Sequence, residues 1–397
     1  MQMKNIMILT FSLLLTSCFM NTDLKGRWSL DLQIQKQAIP FVIEFLDDEN
    51  VLLYNGKETI NLSYSKDKVS KEIKIDINGF DAAIVLSKVG NTLKGNWIKY
   101  NRKDEYKVPV FGMKQVSKKS LKFQDINKIP KKWKISIGSK DPQDGILLFT
   151  QGDEFTHASV LTQTGDYRYL TPSLNGDELT LYGFDGVFAF LFKGKLKSNI
   201  EFSGTMFAGK SWNEEFNAKP DKDFELKDPE GITSYKGDFS KLFLRDLDGK
   251  LYNPGEKSEK VKVLQIFGSW CPNCIDETKF ITKWRKNHPN KDVNFYMVAF
   301  ERSPNKAHAI KQIKKAKKLY NIDYPILIGG YTKEDKLSKV LPGLENFISF
   351  PTTIYIDKSG KIRKIHAGFN GPATGKYFDK FTQDFNSFLD QAIKRVR

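Results

Sequence analysis

The sequence predicts an all-β N-terminal region, built of two related antiparallel units, followed by an α/β layered domain with a mixed sheet. Three observations carry this. From Leu24 to about Lys219, strand-length runs are separated by the turn pairs Asn55-Gly56, Asn78-Gly79, Asn175-Gly176 and Asp185-Gly186, with no long amphipathic helix between them. Landmarks of the first half of that region return about 105 residues later. Around Pro220 the pattern changes to apolar runs alternating with helical spacing.

Within the β region, Glu72-Ile73-Lys74-Ile75-Asp76-Ile77 alternates strictly, as a strand with one wet face does. Val187 to Phe192 is apolar at every position and predicts a strand buried on both faces. The repeat rests on three pairs. Trp28 and Trp133 each follow a basic residue and open a strand; Phe80-Asp81 returns as Phe184-Asp185; Leu93-Lys94-Gly95-Asn96-Trp97 returns as Phe202-Ser203-Gly204-Thr205-Met206. The units are expected at 24–118 and 128–219, joined through the lysine-rich stretch from Lys114 to Lys134.

The last domain is expected at 229–397. Val261 to Phe267 reads as a central strand, and Asp276 to Lys286 as a helix with Ile275, Phe280, Ile281 and Trp284 on one face. Val293 to Phe300 is another strand. Pro304 to Tyr320 is a basic helix with Ile310, Ile313, Ala316 and Tyr320 inward. Tyr324 to Ile328 and Thr352 to Ile356 are strands, and a turn at Lys358-Ser359-Gly360-Lys361 leads into Ile362 to His366. An amphipathic helix from Tyr377 to Ile393 closes the chain.

Composition narrows the function classes. A chain that is 40% hydrophobic is not disordered, and no apolar run reaches the ~20 residues of a spanning helix. Three cysteines cannot staple 397 residues, and His157, His288, His308 and His366 are too scattered for a zinc site. No metal, cofactor or nucleic-acid partner is predicted. The N-terminus reads as a signal segment over 1–17, with Lys4 ahead of the apolar stretch Ile6 to Leu15. Leu15-Thr16-Ser17-Cys18 resembles the bacterial lipobox, which implies lipidation of Cys18, a tether over 18–23, and anchoring on the extracytoplasmic side of a bacterial membrane.

The chemistry is concentrated in Ser269-Trp270-Cys271-Pro272-Asn273-Cys274, where a buried strand meets a helix start. Free N–H groups and the positive end of the helix dipole favour a thiolate at Cys271. Cys274 lies one turn on along the same face and can close a disulfide with Cys271. Lowering a thiol pKa from about 8.5 to about 7 raises its thiolate fraction at neutral pH roughly fifteen-fold, and lost nucleophilicity takes back roughly five-fold. The larger gains are a better leaving group and a resolving thiol held close by.

The segment Trp270-Cys271-Pro272-Asn273-Cys274, with Phe350-Pro351-Thr352 before a strand, resembles the thioredoxin-fold oxidoreductases of the TlpA/ResA type over about 230–397. The resemblance implies a cis proline at Pro351, a substrate surface of Trp270, Phe350, Pro351 and Thr352, and an acidic residue, Glu277, beside the pair. It departs from the family at Gln265, which stands where thioredoxin has a buried aspartate, so proton transfer for Cys274 falls to Glu277. Lys279 replaces a proline common in the family, and the usual helix kink is not expected. The implied activity is reduction of protein disulfides, apocytochrome c among the candidate substrates, with recharging by a membrane thiol-electron donor.

The same residues fit other functions less well. A thiol peroxidase lacks its T-x-x-C context before Cys271, and an envelope binding protein would use the β region for a ligand or partner. His366 reads as an ordinary strand residue rather than a copper ligand. Lys311 to Lys318 reads as a solvated helix face, and Gly368-Phe369-Asn370-Gly371-Pro372 as a turn-rich loop near the site.

Overall fold

The computed structural model describes residues 24–394 except 78, 101, 103–104, 116–127, 152–155 and 290, and without the side chains of 334–336. Cys18, its tether and most of the lysine-rich connector lie outside the described residues.

The first unit comprises β1 (Gly26–Ile34), β2 (Gln37–Phe45), β3 (Asn50–Asn55), β4 (Glu58–Lys66), β5 (Ile73–Asp76), β6 (Ala82–Val89), β7 (Thr92–Lys99) and β8 (Tyr106–Lys114). Each strand pairs antiparallel with the next, and β8 returns beside β1 with Lys114 opposite Trp28, closing a barrel. Alternation explains the closure. Along β1, Trp28, Leu30, Leu32 and Ile34 are buried while Ser29 and Asp31 face out.

The second unit comprises β9 (Lys132–Ile137), β10 (Gln143–Thr150), β11 (His157–Thr162), β12 (Gly165–Asp166), β13 (Thr171–Asn175), β14 (Glu178–Phe184), β15 (Ala189–Lys197), β16 (Glu201–Ala208) and β17 (Trp212–Pro220). Here too the last strand returns beside the first. Leu170, just ahead of β13, exchanges both backbone hydrogen bonds with Ala158 of β11, at 2.8 Å each, so the two ends of the sheet meet.

With the two-residue β12 set aside, the strands of the two units correspond one for one; the tryptophan and glycine landmarks fall on equivalent strands, while Phe80 lies between β5 and β6 and Phe184 ends β14. Trp28 on β1 and Trp133 on β9 are fully buried, and each indole N–H donates to a carbonyl ahead of its strand, Leu24 at 2.8 Å and Pro130 at 2.6 Å. Gly95 on β7 and Gly204 on β16 sit where a Cβ would overlap the carbonyl oxygens of Val85 and Lys193 on the neighbouring strands. Gly95→Ala is therefore expected to lower stability by about 1–3 kcal/mol, read as an earlier urea midpoint.

The all-apolar run at Val187 to Phe192 has a specific cause. Strand β15 begins at Ala189, and it serves two cores. Val187, Ala189 and Leu191 pack with the barrel, while Phe190 and Phe192 pack within the second unit. Phe188, ahead of the strand, is 36% exposed, so burial is not complete along the run as predicted. Phe184 of β14 meets Phe41 and Trp97 of the barrel with ring centroids 4.7 and 5.2 Å apart, which joins the units firmly.

The C-terminal domain contains β18 (Ser234–Tyr235), β19 (Leu244–Arg245), β20 (Leu251–Tyr252), β21 (Val261–Phe267), β22 (Val293–Glu301), β23 (Ile326–Tyr331), β24 (Leu344–Glu345), β25 (Thr352–Ile356) and β26 (Ile362–Ala367). Its helices are α1 (Pro272–Asn287), α2 (Lys306–Leu319), α3 (Glu334–Val340) and α4 (Lys376–Lys394). The five-stranded sheet has the order β23-β22-β21-β25-β26, with the first three strands parallel and the last two antiparallel. One face packs on α1, α2 and α4; the other packs on α3 and the segment around Phe239. This is the thioredoxin-like α/β arrangement. Every residue of β21 is buried, as a central strand covered on both faces requires, the polar Lys262 and Gln265 included. Helix α1 runs through Lys279 without a break.

Candidate active site

Strand β21 delivers the chain into the loop Gly268–Trp270 at the centre of the sheet, and α1 begins at Pro272. Cys271 is the N-cap of that helix in extended conformation, and the Cys274 N–H donates to its Sγ at 3.2 Å. Pro272 takes the first helical position, where no N–H partner is lost. The two cysteines are joined as a disulfide with Cα atoms 5.2 Å apart. Cys271 is 5% exposed and Cys274 fully buried, so Cys271 is the sulfur nearer solvent.

The segment Phe350-Pro351-Thr352 approaches the pair through the Phe350 carbonyl. The Phe350–Pro351 peptide bond is cis, and Cys271 Sγ lies 3.4 Å from the Phe350 carbonyl oxygen. The Pro351 carbonyl accepts from Gly368 N–H at 2.8 Å, which brings the loop Gly368–Pro372 to the site as its turn residues suggested. Thr352 is buried, and its hydroxyl donates to Ser349 O at 2.8 Å. Trp270 donates its indole N–H to Phe300 O at 3.0 Å and meets Phe350 edge to face at 5.2 Å. The Arg302 guanidinium lies 3.8 Å from the centre of the Trp270 ring.

Beneath the pair is a polar network that the sequence exposed only in part. Gln265, in the middle of β21, donates to Glu277 Oε2 at 2.7 Å and to the Cys274 carbonyl at 3.2 Å, and its own oxygen accepts from Thr278 at 3.0 Å. Thr353 donates to the other Glu277 oxygen at 2.7 Å. Glu277 is 1% exposed, not an outward-facing helix residue. Burial pushes its carboxyl up to about 7, against the opposing pull of the Thr353 and Gln265 donors. Glu301 accepts from the Ser269 N–H at 3.0 Å and hydroxyl at 2.8 Å, pinning the loop ahead of Trp270; burial pushes it up to about 7 as well.

These carboxyls make stability depend on pH in a defined direction. Each keeps a proton in the folded state at pH values where the unfolded chain has released it. Their stabilisation is present below the ordinary carboxyl pKa of about 4.5 and is lost as pH rises through about 7. Each group lowers stability by up to ~1.4 kcal/mol per pH unit inside that window. Urea midpoints are expected to fall between pH 5 and pH 8, and Glu277→Gln is expected to flatten the slope.

The second β unit also reaches the site, through residues without any sequence signal. The segment after β11 lays Thr164 and Gly165 against Gly368 and Asn273. Asn273 Nδ2 lies 3.4 Å from both Asp166 O and Phe369 O. The Asp166 carboxyl accepts from Gly371 N–H at 2.8 Å; burial and then the nearby Asp276 push it up to about 7. Arg168 is buried among three carboxylates, at 2.6 Å from Glu58 on β4, 3.0 Å from Asp185 and 3.2 Å from Asp276 in the second turn of α1. Burial works against its charge, and Asp276, Glu58 and Asp185 outweigh that cost. One side chain thus ties the barrel, the second unit and the redox helix together.

The remaining candidates lie where the sequence suggested. His366 is on β26 with its ring 5.2 Å from Phe381, and burial followed by Lys364 pushes it down to about 4. Lys311, Lys314, Lys315 and Lys318 are exposed along α2.

A sequence model of the Redoxin family matches residues 225–379, leaving both β units outside the match. The thioredoxin-like protein YneN of Bacillus subtilis is 30% identical over 135 residues, which are 33% of this chain and 68% of that protein. Among solved structures, a thiol:disulfide interchange protein of the thioredoxin family from Chlorobium tepidum is similar over 43% of this chain and 99% of its own, at 18% identity and a TM-score of 0.29. StoA from Bacillus subtilis is similar over 34% of this chain and 94% of its own, at 20% identity and a TM-score of 0.26.

Proposed function

Because the chain belongs to the thioredoxin-like thiol–disulfide oxidoreductases, we propose that it is a TlpA/ResA-type reductase of protein disulfides, held on the extracytoplasmic side of a bacterial membrane by a lipid on Cys18. The observation that carries the reading is Cys271 at the N-cap of α1, bonded to Cys274 and 3.4 Å from the carbonyl ahead of a cis proline.

In the reduced enzyme, the Cys271 thiolate attacks one sulfur of the substrate disulfide. That S–S bond breaks, and the other substrate sulfur leaves as a thiolate that takes up a proton. Cys274 then gives its proton to Glu277 and attacks Cys271 Sγ. The mixed disulfide breaks, the second substrate thiol leaves, and the enzyme is left as the Cys271–Cys274 disulfide. Two electrons have passed to the substrate. A membrane dithiol donor returns them, and apocytochrome c or another exported thiol protein is a fitting substrate. No described helix is long and apolar enough to cross a membrane, so the anchor rests on the lipobox-like Leu15-Thr16-Ser17-Cys18.

The test is insulin reduction by the chain from residue 19 onward with dithiothreitol as donor. The wild type is expected to speed precipitation of the insulin B chain, and Cys271→Ser to match the uncatalysed control. Equal rates for the two proteins sink the reading. Cys271-dependent consumption of hydrogen peroxide in place of insulin reduction replaces it with a peroxidase.

A further inference from the structure

A cavity of about 620 Å³ opens beside Trp270, between the barrel and the redox domain. That volume is in the range of ligand sites. It is lined on the barrel side by Lys99 at the end of β7 and Arg102 in the turn that follows, on the redox side by Trp270 and Arg302, and by Phe188 ahead of β15. Cations from two domains therefore converge one residue away from Cys271.

Their partners make the arrangement informative. Among the described residues, none of Lys99, Arg102 and Arg302 has a carboxylate in ion-pair contact. Lys99 Nζ rests against aromatic faces, 4.6 Å from the centre of Trp97 and 5.7 Å from that of Phe188. Arg302 is stacked on Trp270. The two acids that line the cavity have other nearest partners, although Glu301 still attracts the neighbouring Arg302. Glu301 accepts from Ser269, and Asp81 lies 3.6 Å from His308 Nε2. Burial, then Arg102, pushes the Lys99 ammonium down to about 8; Asp185 pulls the other way, and Arg302 adds a smaller push downward. Mutual repulsion among the three is thus part of the resting state, and an anion entering the cavity relieves it.

We propose that this cavity receives carboxylates flanking the disulfide of an acidic peptide segment, so that the enzyme selects substrates whose half-cystines sit among aspartate and glutamate. Trp270 joins the two places: one face carries Arg302, and its edge meets Phe350 beside Cys271. The proposal rests on the reductase reading. The reaction is unchanged in kind, with the substrate disulfide taking two electrons and two protons to become two thiols while the Cys271–Cys274 dithiol becomes a disulfide.

The test uses three synthetic peptides with the same internal disulfide, flanked by Asp and Glu, by Asn and Gln, or by Lys, and reduced by the chain from residue 19 onward. In low salt, kcat/KM for the acidic peptide is expected to exceed that for the neutral one by about tenfold, with the basic peptide slowest and the gaps closing as salt rises. Lys99→Gln with Arg102→Gln is expected to bring the acidic-to-neutral ratio towards one, whatever the absolute rates, and Lys99→Arg alone to preserve it. Equal kcat/KM for acidic and neutral peptides in the wild type overturns the proposal while leaving the reductase reading intact. Failure to reduce any peptide or insulin overturns both.

Discussion

Replacing Cys274 by serine is expected to abolish turnover and to trap the enzyme covalently on its substrate through Cys271. The two sulfurs differ in access, since Cys271 is 5% exposed and Cys274 has no exposed surface, and the N–H of Cys274 points at Cys271 Sγ. Attack therefore falls to Cys271 and release to Cys274. Without the internal thiol, release depends on external dithiol at millimolar concentration, against an internal group whose effective concentration is far higher. The loss in steady-state turnover is on the order of a thousandfold or more. Non-reducing electrophoresis of Cys274→Ser with a disulfide substrate should show the linked species, and Cys271→Ser should not. A linked species formed by Cys271→Ser instead would reverse the two roles.

Arg168→Met should be the most damaging single change outside the redox pair. The guanidinium is 11% exposed and is in ion-pair contact with Glu58, Asp185 and Asp276, which belong to three different parts of the fold. Removing a buried ion while its partners remain costs about 3–5 kcal/mol. Lys279, 3.7 Å from Glu58 and 3.6 Å from Asp276, is half exposed and compensates only in part. The redox consequence has a sign as well. Asp276 is two residues beyond Cys274, so its uncompensated charge opposes the Cys271 thiolate. The thiol pKa is expected to rise, and the reduction potential to become more negative because the reduced form loses stabilisation. Thiolate absorbance across a pH titration and urea unfolding read the two effects separately. Arg168→Lys should keep much of both, and an Arg168→Met protein with unchanged stability and thiol pKa refutes the argument.

What the sequence disclosed and what it concealed divide along a physical line. Runs with a period were legible, in the alternation at Ile73 to Asp76 and the helical faces of α1 and α4, and so was the doubly buried β21, which was read from its lack of alternation. Short elements were not, because the seven residues of α3 and the two-residue strands β18, β19, β20 and β24 are below the length at which any period shows. At the site, the cysteine pair and Pro351 were legible because their chemistry is written in adjacent residues. Glu277 could be named but not placed, since its burial depends on Gln265 and Thr353 from two strands. Arg168 and Asp166 left no trace, because the partners that bring them to the redox helix and loop, Asp276 and Gly371, are about a hundred residues or more away along the chain. The run at Val187 to Phe192 was read correctly as apolar on both sides, but its reason, one strand shared by two cores, lies in the packing of the two units.

Among the connections between equivalent strands of the two β units, one differs most in length. In the barrel, β3 passes to β4 through the two residues Gly56 and Lys57, whereas the equivalent passage from β11 to β13 takes the eight residues 163–170. That longer passage is the part of the second unit that touches Asn273, Gly368 and Gly371, and it carries Arg168 back to Glu58, the residue directly after the short turn of the first. The second unit therefore extends an arm where the barrel keeps a tight turn: the arm's tip lies against the redox loop and helix start, and its base is fastened to the strand that follows that tight turn.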